Sequence, residues 1–161
     1  MSKGLLAFFL LGAVGFGEPV FMDGEWAKAF CEVWNNTPKL VEELGKSDSW
    51  ASVPERKIFL YRRDCDKDKQ VQLTIRNENG RAVCVYGGWK KDERSGDDFL
   101  LYAYTEKWME MGRGEYGPMK AMTLGRLKFK GSKFVAMKNM GPFKAFLLAI
   151  DDVKSDLSRC P

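Results

Sequence analysis

The sequence predicts a single α+β domain, a five-stranded, mainly antiparallel sheet covered on one face by helices. Three observations carry that expectation. Residues 57–104 hold four short runs rich in β-branched and aromatic residues, separated by turn chemistry. Apolar residues recur at helical spacing before and after those runs. The 161 residues, 45% of them hydrophobic, suit one domain that can bury a core without a disulfide or a metal.

The elements follow in chain order. Asp23 suits an N-cap for a helix over 24–36, with Glu25 in its first turn and Trp26, Phe30, Val33 and Trp34 on one face. Thr37-Pro38 then opens a second short helix, residues 38–44, which Gly45 closes. Strands are expected over 57–63, 70–76 and 81–86. In the second of these Val71, Leu73 and Ile75 alternate with Gln70, Gln72, Thr74 and Arg76, which predicts one wet face. Asn79-Gly80 predicts a type I′ hairpin, because both central positions need positive φ. Residues 87–97 read as an exposed loop and 98–104 as a fourth strand. Thr105 can cap a helix through Met111, residues 118–124 make a further helical turn, and 126–130 form the fifth strand. Ser132 caps a helix toward Asn139; Gly141-Pro142 interrupts it, and helix resumes from Pro142 to about Leu157.

Composition narrows the chemistry. There is no histidine, which removes the usual metal ligand and the usual general base near neutral pH. Cys31, Cys65, Cys84 and Cys160 form no C-x-x-C pair, so neither a disulfide framework nor a zinc site is expected, and Cys84 reads as a small core residue. The clusters Asp64/Asp66/Asp68, Asp97/Asp98 and Asp151/Asp152 fall in turns or helix ends and read as solvated. Gly112-Arg-Gly-Glu-Tyr-Gly117 has G-x-G-x-x-G spacing, but it follows a helix rather than a strand and is a poor phosphate loop. No catalytic residue, metal or cofactor is expected.

Charge and soft apolar residues collect in the last third. The chain carries +4, yet Gly117 to Ile150 holds Lys120, Arg126, Lys128, Lys130, Lys133, Lys138 and Lys144 with no acid, leaving −3 for the remainder. Methionine, unbranched and polarisable, suits surfaces that adapt to ligands of variable shape. Trp108, Met111, Met119, Met122, Leu124, Phe129, Phe134, Met137, Met140, Phe143 and Leu147, with Phe99 and Leu101 from the fourth strand, are therefore the expected lining of an apolar cavity.

The segment Gly125-Arg-Leu-Lys-Phe-Lys-Gly131, followed by Ala136-Met-Lys138, closely resembles the signature of the sterol carrier protein 2 family. Glu25-Trp26-Ala27 and Asn35-Asn36-Thr37-Pro38 resemble that family's first helix and the break after it. The resemblance covers roughly residues 22 to 150. It implies an apolar tunnel between sheet and helices that takes fatty acid, acyl-CoA, phospholipid or sterol-like ligands, with binding and transfer but no catalytic step. Burying a sixteen-carbon chain offers on the order of 10 kcal/mol before ordering costs. Lys128, Lys130 and Lys133 are expected to meet anionic membrane lipids, each contributing about 1 kcal/mol. Nucleic acid is not an expected partner.

Two alternatives stand beside this reading. One is a module that docks to a membrane or an enzyme without bound lipid; the other is an enzyme built on Cys84 or a carboxylate. The amino end, residues 1–21, holds Lys3 and the apolar run Gly4 to Gly17. It resembles a secretory signal and is too short for an ordinary transmembrane helix. Signal, start-site artefact (Met22-Asp23 being a natural start) and groove-filling segment all fit, the last with a homodimer through that segment. A cytoplasmic domain over residues 22–161 is the expectation, with export or membrane association through residues 1–17 as the alternative. The carboxyl end, Ser158-Arg-Cys-Pro161, is no peroxisomal address.

Overall fold

The computed structural model describes residues 17–161. The expectations for the apolar run, and for a dimer through it, lie outside these residues. Five strands, β1 (Glu55–Arg62), β2 (Val71–Glu78), β3 (Arg81–Trp89), β4 (Phe99–Ala103) and β5 (Lys128–Lys130), form one sheet in the order β3-β2-β1-β4-β5. All neighbours are antiparallel except β1 and β4, which run parallel. Asn79 and Gly80 have φ of 55° and 72°, the positive pair that a two-residue I′ hairpin requires.

Helices lie on one face. α1 (Gly24–Asn35) starts where Asp23 Oδ1 accepts the Trp26 amide at 2.8 Å, and packs on β3. That approach needs Gly87, since a Cβ there would stand 2.3 Å from the Ala27 carbonyl oxygen. A π-helical turn, Lys39–Glu43, and a 3-10 turn, Leu44–Lys46, take the place of the expected short helix. α2 (Thr105–Gly112), α3 (Pro118–Thr123), α4 (Lys133–Lys138) and α5 (Met140–Ala149) follow. Ser132 Oγ caps α4 by accepting the Val135 amide.

Several expectations are corrected. Thr105 does not cap α2 with its own hydroxyl; Asp64 Oδ1, from the turn after β1, accepts the Thr105 amide at 2.9 Å instead. Gly141-Pro142 does not interrupt a helix, for α5 already begins at Met140. The last helix ends at Ala149 with one 3-10 turn, Ile150–Asp152, because the chain then turns away as an extended strap. The expected wet face of β2 is covered at its centre, while Arg76 stays exposed. Gln72 and Thr74 are buried, because residues 90–98 fold across them and Gln72 Oε1 accepts the amides of Lys91 and Asp92. Asp98 is buried too, held by the Ser95 and Lys57 amides.

The largest correction concerns cysteine. Cys31 pairs with Cys84 and Cys65 with Cys160, so no described cysteine is free. The partners lie 53 and 95 residues apart, which is why spacing conceals them. The first bond pins α1 to β3. The second ties the β1–β2 turn to the carboxyl strap, where Asp156 bridges Val20. Arg62, buried at the end of β1, donates to the carbonyls of Phe21, Leu157 and Arg159 and so sews both terminal segments to the sheet. Phe21, which sequence groups with the leader, is fully buried. Among the described residues no helix is long and apolar enough to cross a membrane.

Candidate functional site

The core between sheet and helices is an unbroken chain of aromatic rings. Phe21 contacts Trp26 edge-on, Trp26 stacks on Phe30, and Phe30 meets Phe146. From Phe146 the contacts continue through Trp34, Trp50, Phe99, Phe129 and Phe143, with each ring centroid 5.6–6.5 Å from the next. The later rings of this chain wall an apolar cavity of about 60 Å³. Among the described residues this cavity stands where the resemblance implies a tunnel. It is several times smaller than the roughly 300–1,000 Å³ typical of ligand pockets.

β1 supplies Ile58 to its floor, β4 supplies Phe99 and Leu101, and β5 supplies Phe129. Its roof comes from Trp34 of α1, Leu40 and Leu44 of the following turns, Val135 and Ala136 of α4, and Pro142, Phe143 and Phe146 of α5. The strand register explains the floor: Ile58 pairs with Phe99, Leu60 with Leu101 and Leu101 with Phe129, so all five share the helix-covered face. Gly131 closes the β5 corner at φ 141°, and a Cβ there would meet the Phe99 ring at 2.5 Å. Only Phe129 and Phe143 among the wall residues are half-buried; all the others are buried. Their rings face each other at 6.3 Å and mark the mouth, between β5 and α5.

Four of the expected lining residues, Phe99, Leu101, Phe129 and Phe143, stand on this wall. The others are placed elsewhere. Trp108 and Met111 are buried in α2, the indole N–H of Trp108 donating to the Tyr61 carbonyl. Leu147 is buried in α5 away from the wall, and Met122 and Met140 are half-buried. Met119, Leu124, Phe134 and Met137 stand exposed, Phe134 at 63%. Sequence reasoning missed Trp34, Leu40, Leu44, Trp50, Ile58, Val135, Ala136 and Pro142, while Phe146 belongs to the apolar-rich last third without having been singled out as lining. For Trp34 the helical spacing with Phe30 is the available signal, but it marks core as readily as wall.

Polar groups gather at one end. Asn139, between α4 and α5, is the single polar side chain on the wall. Its amide nitrogen donates to the Val135 carbonyl at 2.7 Å and to Ser49 Oγ at 3.0 Å. Nearby Arg56 is buried, with burial drawing its pKa down against the opposing charges of Asp97 and Asp98. Its guanidinium donates to the carbonyls of Trp50, Asp97 and Ser49 and lies over the Trp50 ring at 5.1 Å.

The seven cations between Gly117 and Ile150 join no ion pair among the described residues. Lys128 and Lys130 pair in register with Tyr102 and Leu100, so they project from the sheet face opposite Phe129. Lys133 and Lys138 flank Phe134 and Met137 on α4, where the two apolar residues are three apart and share a face. Five of the nine large apolar side chains exposed among the described residues fall within Gly117–Ile150, the same segment that holds the seven cations.

A family model described as the SCP-2 sterol transfer family matches residues 41–144. Among solved structures, a crystal structure of sterol carrier protein 2 matches with a TM-score of 0.57 and 19% identity, covering 83% of this chain and 98% of its own. A solution structure from Thermus thermophilus, described as a conserved hypothetical protein and possibly a sterol carrier protein, matches with a TM-score of 0.55 and 19% identity. It covers 88% of this chain and 94% of its own. At these identities the likeness shows the fold. No curated protein matches the chain.

Proposed function

The chain belongs to the SCP-2 sterol transfer family, a family of lipid-binding domains, and we propose that it binds and transfers a fatty-acyl or sterol-like lipid without a chemical step. The observation that carries this reading is the wall itself, which has thirteen apolar side chains and one amide and no titratable group. Such a wall binds by burial alone, at about 25 cal/mol per Å². Because the cavity is small, the Phe129 and Phe143 rings must part for a chain to enter between β5 and α5.

Entry occurs at an anionic membrane in this proposal. α4 lines the cavity with Val135 and Ala136 on its inner side and presents Phe134 and Met137 outward between Lys133 and Lys138. Inserting the outer side into a bilayer loads the helix that forms the inner wall. Lys128 and Lys130 stand on the strand that carries the mouth residue Phe129. The two disulfides favour an oxidising compartment, and so the exported alternative over the cytoplasm.

Organic extraction of the purified protein followed by mass spectrometry tests the central claim, with a stoichiometric amphiphile as the expected result. The small cavity favours one competing reading, a membrane-docking module that carries no lipid. A protein that sediments with phosphatidylserine vesicles yet yields no amphiphile, and takes none up from them, establishes that module instead.

A further inference from the structure

We propose that Cys65–Cys160 is a site of reversible thiol–disulfide exchange that a dithiol opens while the fold stays intact, and that it acts as a clasp whose opening releases the carboxyl strap together with the amino-terminal segment. The inference rests on the placement of the two disulfides and stands apart from the lipid-binding reading.

The two bonds differ in access. Cys31 and Cys84 are 8% and 4% exposed and join α1 to β3, so a thiolate reaches them only after the helix leaves the sheet. Cys160 is exposed on the strap, and Cys65 is half-buried in the turn after β1. Exchange requires direct approach to one sulfur, and exposed disulfides are the labile ones. A thiolate of the dithiol bonds to Cys160 Sγ and displaces Cys65 as a thiolate, which takes up a proton. The second thiol of the reductant then closes its own disulfide and frees Cys160. Two electrons and two protons pass from the dithiol to the protein, and oxidation of the two cysteines reverses the step.

The strap depends on this bond because its other ties are weak. Arg62 donates to the Arg159 carbonyl at 2.8 Å and to the Leu157 carbonyl at 3.1 Å. The Phe21 amide donates to the Asp156 carbonyl at 3.0 Å, and the Asp156 amide donates to the Pro19 carbonyl at 2.8 Å. Residues 157–160 are all exposed, Leu157 included, so hydrogen bonds there gain little help from apolar burial. The disulfide holds these groups together across 95 residues of chain. Once it opens, the strap lifts from Arg62, which keeps the Phe21 carbonyl and Thr105 Oγ1 as acceptors. Residues 19–21 lose their partner in the same event.

The test holds the full chain in dithiothreitol at about pH 8, where its thiols are partly ionised, with alkylation at intervals and mapping by mass spectrometry. Cys65 and Cys160 are expected to be labelled about tenfold or more faster than Cys31 and Cys84, since one route needs local access and the other the undocking of α1. In the protein opened only at that pair, amide hydrogen exchange at Phe21 and Asp156 should rise several-fold while α1 exchanges as before, and reoxidation should restore the slow rate. Cys65→Ser with Cys160→Ser, which retains Cys31–Cys84, should show the faster amide exchange without any reductant. Labelling of all four cysteines at one rate, or none before the near-ultraviolet dichroism of the fold is lost, overturns the exchange site. Selective opening that leaves amide exchange at Phe21 and Asp156 unchanged overturns the clasp.

Discussion

The two ends of the helix layer are fastened differently. At the β3 end, α1 is bonded to the sheet through Cys31–Cys84, and Asn35 exchanges hydrogen bonds with the Cys84 backbone in both directions. The strap beside it is held by Cys65–Cys160 and by the carbonyl cage around Arg62. At the β5 end the three-residue strand β5, the six-residue helix α4 and the start of α5 surround Phe129 and Phe143 with no cross-link. Helices that short draw little stability from their own hydrogen bonds and depend on packing. The difference separates a frame from a door: a disulfide and buried polar ties fix one end, while short hydrogen-bonded elements and apolar packing, without a covalent tie, hold the end that opens in the proposed function.

The largest expected effect comes from unfastening the frame. Cys31→Ala with Cys84→Ala opens a loop closed over 53 residues and should cost roughly 4 kcal/mol by the chain-entropy account. Chemical denaturation reads this, and an unchanged midpoint would show that packing alone holds α1. Next, Gly87→Ala forces α1 off β3 and should cost about 1–3 kcal/mol by overpacking. If instead it is neutral, the contact is not tight. At the door, Phe143→Ala removes a half-buried ring for about 2 kcal/mol. It should speed lipid uptake in stopped flow, whereas slower uptake would move the mouth elsewhere.

Acid offers a milder way to loosen the frame. Hydrogen bonds from the Ser158 hydroxyl and amide, then from Arg159, hold the Asp156 carboxyl down to about 2, below its ordinary 3.8. A depressed carboxylate stabilises the folded form above the unfolded pKa and loses that contribution as protons bind the folded form. The strap should therefore loosen as the pH falls from about 4 to 2. Amide exchange of Phe21 and of residues 156–158 follows this directly, and Asp156→Asn should remove the pH dependence. The smallest stability effect belongs to Met137→Ser on the outer side of α4, within about 0.5 kcal/mol. Its sedimentation with phosphatidylserine vesicles should nonetheless fall several-fold; unchanged sedimentation would free α4 from any membrane role.

How far the sequence could be read divides along the same line. Local chemistry was legible wherever its partners are local: Asp23 and Ser132 cap their helices, Asn79-Gly80 turns its hairpin, and Gly125 to Gly131 marks the corner of β5. What depends on distant chain was not. The parallel pairing of β1 with β4, both disulfides, the lid over Gln72 and Thr74, and the strap all join residues with no periodic relation. The site shows the same division. Phe99 and Leu101 stand on the wall from their strand and Phe129 from the family motif, while Phe143 is reached only through the richness in soft apolar residues. Methionine richness pointed to Met119 and Met137, which stand outside, because a soft apolar side chain reads the same whether it faces a cavity or another surface.

The short fifth strand carries one more consequence. β5 is the outer strand of the sheet, so its far side offers unpaired amides and carbonyls to any passing chain. An edge of this kind is a template for sheet growth, and proteins blunt it with brevity and with lysine. Both devices are present here, with Lys128 and Lys130 occupying two of only three positions. Positive charge at two of three positions opposes the pairing of one copy's edge with the next, so this edge is a poor template for sheet growth.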